Sequence, residues 1–259
     1  MSARALFEMM GKTALITGGS RGLGLQIAEG IGEMGAKVVV TSRKQSELDA
    51  AVVHLKSRGV DASGISFDLG NSNNVSPMVE EALRRLGHID ILVNNAATTW
   101  GAPAEDYPLE AWDKVMNLNV RAAFLVAQAV GRSSMIPRQY GRILNIASVA
   151  GLGGNRRGTM KTVAYNSSKA ALINLTRTLA GEWGEFGITV NAIAPGFFPT
   201  KMTVAIRDVG QAIEESAPLG RIGNDEDLKG AAILFTSDAG RYITGQLLAV
   251  DGGLSCLIV

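Results

Sequence analysis

Cysteine is almost missing from this chain of 259 residues. Cys256 is the sole one, so no disulfide can form within the chain, and a reducing compartment suits it. Neither sign of charge dominates. The count is 25 Lys and Arg against 24 Asp and Glu, a net charge of +1, which removes the electrostatic case for a nucleic-acid or membrane-surface partner. No apolar run approaches the roughly 20 residues of a membrane span. No repeat with a period of about 20–50 residues is present, which excludes a solenoid. The opening MSARALFEMMGKT has weak signal-peptide features, but Glu8 breaks its apolar stretch, and it reads as a lead-in to the first strand. No metal site is expected. What remains is a soluble, cytoplasmic chain, a single domain over residues 1–259, whose 46% hydrophobic content can fill one large core.

Strand and helix patterns alternate along the chain without a linker. Strands are expected at 13–17, 37–42, 64–69, 89–96, 142–148, 189–196 and 246–253. Between them run helical patterns. LGLQIAEGIGEMG puts Leu23, Ile27, Ile31 and Met34 on one stripe, and SELDAAVVHLKSRG, residues 74–86, a long stretch over about 109–135, and AYNSSKAALINLTRTLAGEW follow. Apolar strands without clean alternation imply burial on both faces, hence a parallel sheet flanked by helices. The expected fold class is therefore α/β, a single Rossmann-type doubly wound parallel sheet with helices on both faces.

The first turn from strand to helix reads TGGSRGLG, residues 17–24. Gly18, Gly22 and Gly24 allow positive φ, close approach of a pyrophosphate, and tight packing of helix on sheet. The helix N-terminus adds free N–H groups and the positive end of its dipole. The end of the second strand decides between dinucleotides. An NAD site places a carboxylate there for the ribose 2′-hydroxyl; this chain has Thr41, Ser42, Arg43 and Lys44. Together with Arg21 these suit a 2′-phosphate, because guanidinium presents forked donors to phosphate. NADPH is thus expected over NADH. The alternative is that Arg43 and Lys44 are solvated charges that open the next helix. Asp68 is a candidate for the adenine edge or a turn cap.

Tyr165 and Lys169 stand four residues apart on one helix, so phenol and ammonium share a face one turn apart. A fixed cation beside a tyrosine favours phenolate and is expected to bring its titration toward neutrality.

TGGSRGLG, NNAA (94–97), the NLNV segment with Asn119, the strand-end Ser148, the Y-N-S-S-K run and Pro195-Gly196 together resemble the short-chain dehydrogenase/reductase family, in that family's order and over nearly the whole chain. One position departs: Ala97 stands where the family has glycine. The resemblance implies a sheet of about seven strands and a catalytic tetrad of Asn119, Ser148, Tyr165 and Lys169. It also implies a nicotinamide cofactor and a homotetramer. The cofactor contacts so implied are Gly18, Ser20, Arg21, Gly22, Leu23, Gly24, Ser42, Arg43, Asp68, Leu69, Asn95, Tyr165, Lys169, Pro195, Gly196, Phe198 and Thr200. Ser148 would donate to a substrate carbonyl, and Tyr165 would protonate it in reduction or act as base in oxidation. Lys169 would hold the nicotinamide ribose, and Asn119 would bind a water linking Lys169 to solvent.

For the substrate, Trp100 follows the NNAA segment, and Phe197, Phe198 and Met202 follow the Pro-Gly turn. Both segments leave the carboxyl edge of the sheet, where such folds bind ligands. Residues 199–217 are expected to form a lid. The loop 151–164 carries Arg156, Arg157 and Lys161, either to meet an anionic substrate or as a solvated basic loop. The resemblance extends to β-ketoacyl reductase and gluconate 5-dehydrogenase members. It leaves three classes: an NADPH-dependent ketone reductase for 3-oxoacyl thioesters, β-keto esters or related carbonyls; a polyol or sugar-acid dehydrogenase; and a non-enzymatic dinucleotide-binding protein. Intact tetrad positions count against the last.

Overall fold

The computed structural model describes residues 2–155, 160–199 and 214–257. Arg156, Arg157, Thr200 and Met202, and residues 200–213 of the expected lid, lie outside them. The described chain runs β1 (Thr13–Thr17), α1 (Gly22–Glu33), β2 (Lys37–Ser42), α2 (Gln45–Ser57), β3 (Ala62–Ser66), α3 (Val75–Leu86) and β4 (Ile91–Asn94). It continues with α4 (Leu109–Met116), α5 (Ala123–Val130), the short α6 (Ile136–Arg138), β5 (Gly141–Ile146) and α7 (Val163–Trp183). The last elements are β6 (Ile188–Pro195), α8 (Lys229–Thr236) and β7 (Leu247–Val250). The seven strands form one sheet in the order β3-β2-β1-β4-β5-β6-β7, every neighbouring pair parallel.

Both faces of this sheet are apolar, as its strands require. Ile16, Val38, Val40, Val93 and Leu144 face one way into a core shared with Ile27 and Ile31 of α1 and Phe235 of α8. Their strand neighbours Leu15, Val39, Leu92 and Ile143 face the other way, onto Met78, Val79, Val126 and Leu179. Period-two alternation thus distributes apolar side chains to two cores rather than to core and solvent. Among the described residues no helix is long and apolar enough to cross a membrane.

Strand order reverses between β1 and β4. The chain winds outward from β1 through β2 to β3 and then returns to place β4 on β1's other side, which opens a crevice at the carboxyl ends of the two strands. Asn95 spans it. Its N–H donates to Thr17 Oγ1 at 3.0 Å, and its Nδ2 donates to the Thr17 and Gly18 carbonyls, each at 3.0 Å.

Several elements are shorter than their patterns predict. β3 stops at Ser66, β4 covers 91–94 and β5 ends at Ile146, so Asp68, Asn95 and Ser148 sit just beyond strand ends. The helix expected over 109–135 is interrupted. Between α4 and α5 lies a π-helical segment, Asn117–Ala122, and a second, Gly131–Met135, precedes α6. Apolar periodicity cannot reveal such widening, because each π turn shifts the register by a single residue.

Candidate active site

The glycine turn is shaped by what its neighbours leave no room for. Gly18 (φ 65°) and Gly22 (φ 52°) adopt the left-handed conformation, which costs glycine least. At Gly24 a Cβ would strike Asn95 Nδ2 and the Gly18 carbonyl. The turn also bonds sideways to β2 through Gly19 N–H and the Thr41 carbonyl, at 3.0 Å. Helix α1 then begins behind Arg21 with no side-chain cap and no acidic residue in its first turn. Its orphan N–H groups and positive dipole end therefore open onto the switch-point crevice, a donor set that fits a diphosphate.

Beside this turn lies a basic corner. The guanidinium of Arg21 reaches Glu47 in the first turn of α2, with Nη1 at 2.7 and 2.6 Å from the two carboxylate oxygens. That contact brings Arg21 to the start of α2, where Lys44 Nζ lies 3.8 Å from the same carboxylate. Arg43 and Lys44 are exposed. Ser66 Oγ donates to the Arg43 carbonyl at 3.1 Å and fixes its backbone across from β3. Asp68 serves as a turn cap: its Oδ1 accepts from Gly70 N–H at 2.9 Å, and its carbonyl accepts from Asn74 Nδ2 at 2.8 Å. Leu69 is buried and lines a cavity of about 280 Å³ with Asn117 and Arg121.

Ser148, Tyr165 and Lys169 converge past the ends of β4 and β5. Ser148 follows β5, is extended (φ −172°), and its Oγ accepts from Ala150 N–H at 3.1 Å. Tyr165 lies in the first turn of α7, and Lys169 one turn later is 3% exposed. The Lys169 Nζ lies 5.6 Å from the Tyr165 ring centre and donates to the Ile146 carbonyl at 2.7 Å. Gly151 lets the chain pass over this turn of helix, since a Cβ there would meet the Lys169 carbonyl carbon at 2.7 Å.

Electrostatics at this pair run against the expectation from spacing. Burial pushes the Tyr165 phenol above its ordinary value, and a hydrogen bond from Ser148 pulls only partly back. Burial also lowers Lys169 to about 8. Taking charge out of water outweighs the attraction a lysine at this distance supplies, so the resting site holds a protonated phenol rather than a phenolate.

Asn119 lies on the helical run after β4, as its segment predicts. It is 1% exposed, within the π segment, and its amide is engaged. Oδ1 accepts from Thr98 N–H at 2.8 Å, while Nδ2 donates to the Thr98 carbonyl and to Ser168 Oγ, both at 2.9 Å. Ser168 Oγ in turn donates to the Tyr165 carbonyl at 2.7 Å. Both amide protons are therefore spent, and this side chain braces the turn beneath Tyr165. Ser168 was not foreseen, although its spacing of three from Tyr165 places it on the same helical face. Nor was the buried chain from Asn94 Nδ2 to Asn145 Oδ1 (3.0 Å) and from Asn145 Nδ2 to Thr176 Oγ1 (2.9 Å), which ties β4 and β5 to α7.

A sequence model of the family described as enoyl-(acyl carrier protein) reductase matches residues 18–255. The chain is similar to gluconate 5-dehydrogenase of Gluconobacter oxydans, with 40% identity over 98% of this chain and 99% of that one. The chain belongs to the short-chain dehydrogenase/reductase family. Within that family it is equally similar, at 40% identity over 95% of its own length and 97% of the relative's, to the rhamnolipid-biosynthesis 3-oxoacyl-[acyl-carrier-protein] reductase of Pseudomonas aeruginosa. Among solved structures, a gluconate 5-dehydrogenase from Burkholderia cenocepacia in complex with NADP and tartrate superposes with a TM-score of 0.92. That enzyme shares 35% identity, and the match covers 99% of this chain and all of that one.

The expected cofactor and substrate contacts divide on burial. Pro195 ends β6, and Gly196 N–H donates to the Val250 carbonyl at 3.0 Å, turning the chain across the sheet edge. Phe198 is a core residue. It is 3% exposed and packs so closely on Gly223 that a Cβ there would meet its ring. Phe197 is only partly buried, and Trp100 is 46% exposed with its carbonyl accepting from the Tyr107 hydroxyl. Lys161 is exposed, and its carbonyl accepts from Ala102 N–H at 2.9 Å. Beside them a polar group is locked together, with Asn155 Nδ2 donating to Thr162 Oγ1 at 3.0 Å and Asn166 Nδ2 to Asn155 Oδ1 at 3.1 Å.

Proposed function

We propose that this chain is an NADPH-dependent oxidoreductase that reduces a ketone to a secondary alcohol, with a 3-oxoacyl thioester, a β-keto ester or a related carbonyl as substrate. One observation carries the reading: Ser148 and Lys169 flank a single protonated phenol at the carboxyl edge of the sheet. A reduced nicotinamide supplies hydride when bound, and the chain's own residues position and protonate. The N-terminus of α1 and the glycine turn hold the diphosphate, and Arg21, Ser42 and Arg43 meet the 2′-phosphate. Ser148 donates to the carbonyl oxygen, and Tyr165 delivers the proton to that same oxygen as general acid. Tyr165, whose value burial raises, is in its acid form at neutral pH and so carries the proton that reduction needs. Lys169 remains largely charged at neutral pH with its value near 8 and is placed to hold the nicotinamide ribose hydroxyls. Asn119, through Ser168, positions the Tyr165 turn.

Sugar-acid oxidoreduction is the second reading. The amide and hydroxyl group of Asn155, Thr162 and Asn166 beside Tyr165 suits a hydroxyl-rich substrate better than an acyl chain, and the similarity to gluconate 5-dehydrogenase points the same way. NADPH oxidation measured in parallel with acetoacetyl-CoA, ethyl acetoacetate and 5-ketogluconate separates the two. Turnover of the β-keto compounds supports the first reading, and turnover of the sugar acid alone replaces it with the second. Binding of NADPH without turnover of any carbonyl defeats both.

The proposal includes a homotetramer in the cytoplasm, supported by large apolar side chains left exposed on α4 and α5, Leu109 at 69% and Phe124 at 37%.

Cofactor choice rests on Arg43. Arg43→Asp removes a forked phosphate ligand and supplies a carboxylate for the ribose 2′-hydroxyl. The ratio of NADP⁺ to NAD⁺ affinity is expected to fall by at least about tenfold, the scale of one charge-assisted contact. A ratio unchanged in titrations of both cofactors places the 2′-phosphate elsewhere.

A further inference from the structure

The basic corner contains an anion of its own. Arg21 and Lys44, the neighbours of Arg43 in that corner, meet one carboxylate there, Glu47, whose oxygens straddle Arg21 Nη1 and whose Oε1 lies 3.8 Å from Lys44 Nζ. Glu47 is the more buried member of the Arg21 pair, with 21% of its side chain exposed against 49% for Arg21. Its backbone is fixed in the first turn of α2, whose first residue is Gln45. Arg21 is the N-cap residue of α1, in extended conformation between Ser20 and Gly22, and its long, half-exposed side chain is the element of the pair free to re-aim.

We propose that Glu47 determines how strongly this chain discriminates NADP from NAD, by competing with the 2′-phosphate for Arg21. The proposal rests on the reading of this corner as the phosphate site. Through Nη1 the carboxylate engages one end of the guanidinium, and a forked grip on phosphate needs two neighbouring nitrogens. An incoming 2′-phosphate must therefore share Arg21 with a negative charge or draw it away. The carboxylate also repels the phosphate directly, within a few ångströms of two of its cationic ligands. A 2′-hydroxyl carries no charge and meets no such repulsion, so Glu47 penalises the phosphorylated cofactor selectively. A corner of three cations moderated by one carboxylate binds NADP with restraint and leaves NAD a measurable affinity.

Calorimetric titration of NADP⁺, NAD⁺ and 2′,5′-ADP into the intact protein at low salt tests this without turnover. Glu47→Gln keeps the shape and an acceptor oxygen and removes the charge. It is expected to tighten NADP⁺ and 2′,5′-ADP about fivefold, the scale of an exposed charge pair, and to move NAD⁺ less than about twofold. The gain shrinks as salt rises, as screening requires. In an Arg21→Gln background the same substitution is expected to tighten NADP⁺ by less than it does in the wild type, because the contested ligand is gone and only the direct repulsion remains. Unchanged or weaker NADP⁺ binding in Glu47→Gln overturns the competition and means the carboxylate positions Arg21 instead. If Arg21→Gln alone leaves NADP⁺ affinity untouched, the phosphate does not reach this corner, and the underlying reading of the site fails first.

Discussion

Tyr165→Phe is expected to lower the rate of ketone reduction by at least about a thousandfold, within the range that a positioned general acid contributes. NADPH affinity should stay within about twofold, because the lost atom is the phenolic oxygen alone. The ring stays packed, and the hydrogen bond surrendered is the one from Ser148. The site's electrostatics add a second test. Burial raises the Tyr165 value, so the proton-donating form persists through neutral pH and the conjugate base is scarce there. Reductive kcat should therefore be nearly flat through neutrality, while alcohol oxidation, which needs the phenolate, should rise as pH increases. Binding by fluorescence titration and stopped-flow turnover on the same preparation separate the two roles. Retained reduction in the phenylalanine variant removes Tyr165 from the chemistry. A reductive rate that instead falls steadily through neutral pH contradicts a phenol held in its acid form.

How much of this site the sequence discloses depends on how local each signal is. Strand, glycine turn and helix follow from short contiguous patterns, and the structure puts Thr13–Thr17, the turn and Gly22–Glu33 where those patterns place them. Tyr165 and Lys169 share a helical face because spacing alone dictates it. Their ionisation does not follow from spacing. It depends on how much water the sheet edge and the chain around Gly151 exclude, a tertiary quantity that reverses the expected shift of the phenol. Asn119 shows the same limit. Its position on a helix is legible, but the π segment that buries it, and the Thr98 and Ser168 partners that occupy its amide, arise from packing between α4, α5 and α7. Phe198 reads as a pocket residue by its place after the Pro-Gly turn. Gly223, 25 residues further on, offers the space that draws the ring into the core. Arg21 and Glu47 are 26 residues apart in the sequence, and only the fold brings them together past the ends of β1 and β2.

Lys169→Met is expected to reduce turnover by at least about a hundredfold while changing stability in a pH-dependent way that a solvated lysine would not produce. The ammonium is 3% exposed and its hydrogen-bond acceptor is the Ile146 carbonyl, so burial holds its value near 8, below the ordinary 10.5. Between those two values the unfolded chain binds more protons than the folded one, and wild-type stability must rise with pH across that window. Below pH 8 the cost of keeping the charge buried is fully present. Methionine fills a similar volume without a charge and has no such dependence. The stability of the variant relative to wild type should therefore be most favourable near neutrality and decline by about 2 kcal/mol between pH 7 and pH 10. Near neutral pH the relieved charge offsets the cost of about 1–3 kcal/mol for leaving the Ile146 carbonyl unpaired. Urea unfolding of both proteins at several pH values gives the difference directly, and common effects of alkaline pH cancel. A difference that does not move with pH means the ammonium is solvated in the folded state. In that case the amine sits outside the sealed site, and burial no longer accounts for a value near 8.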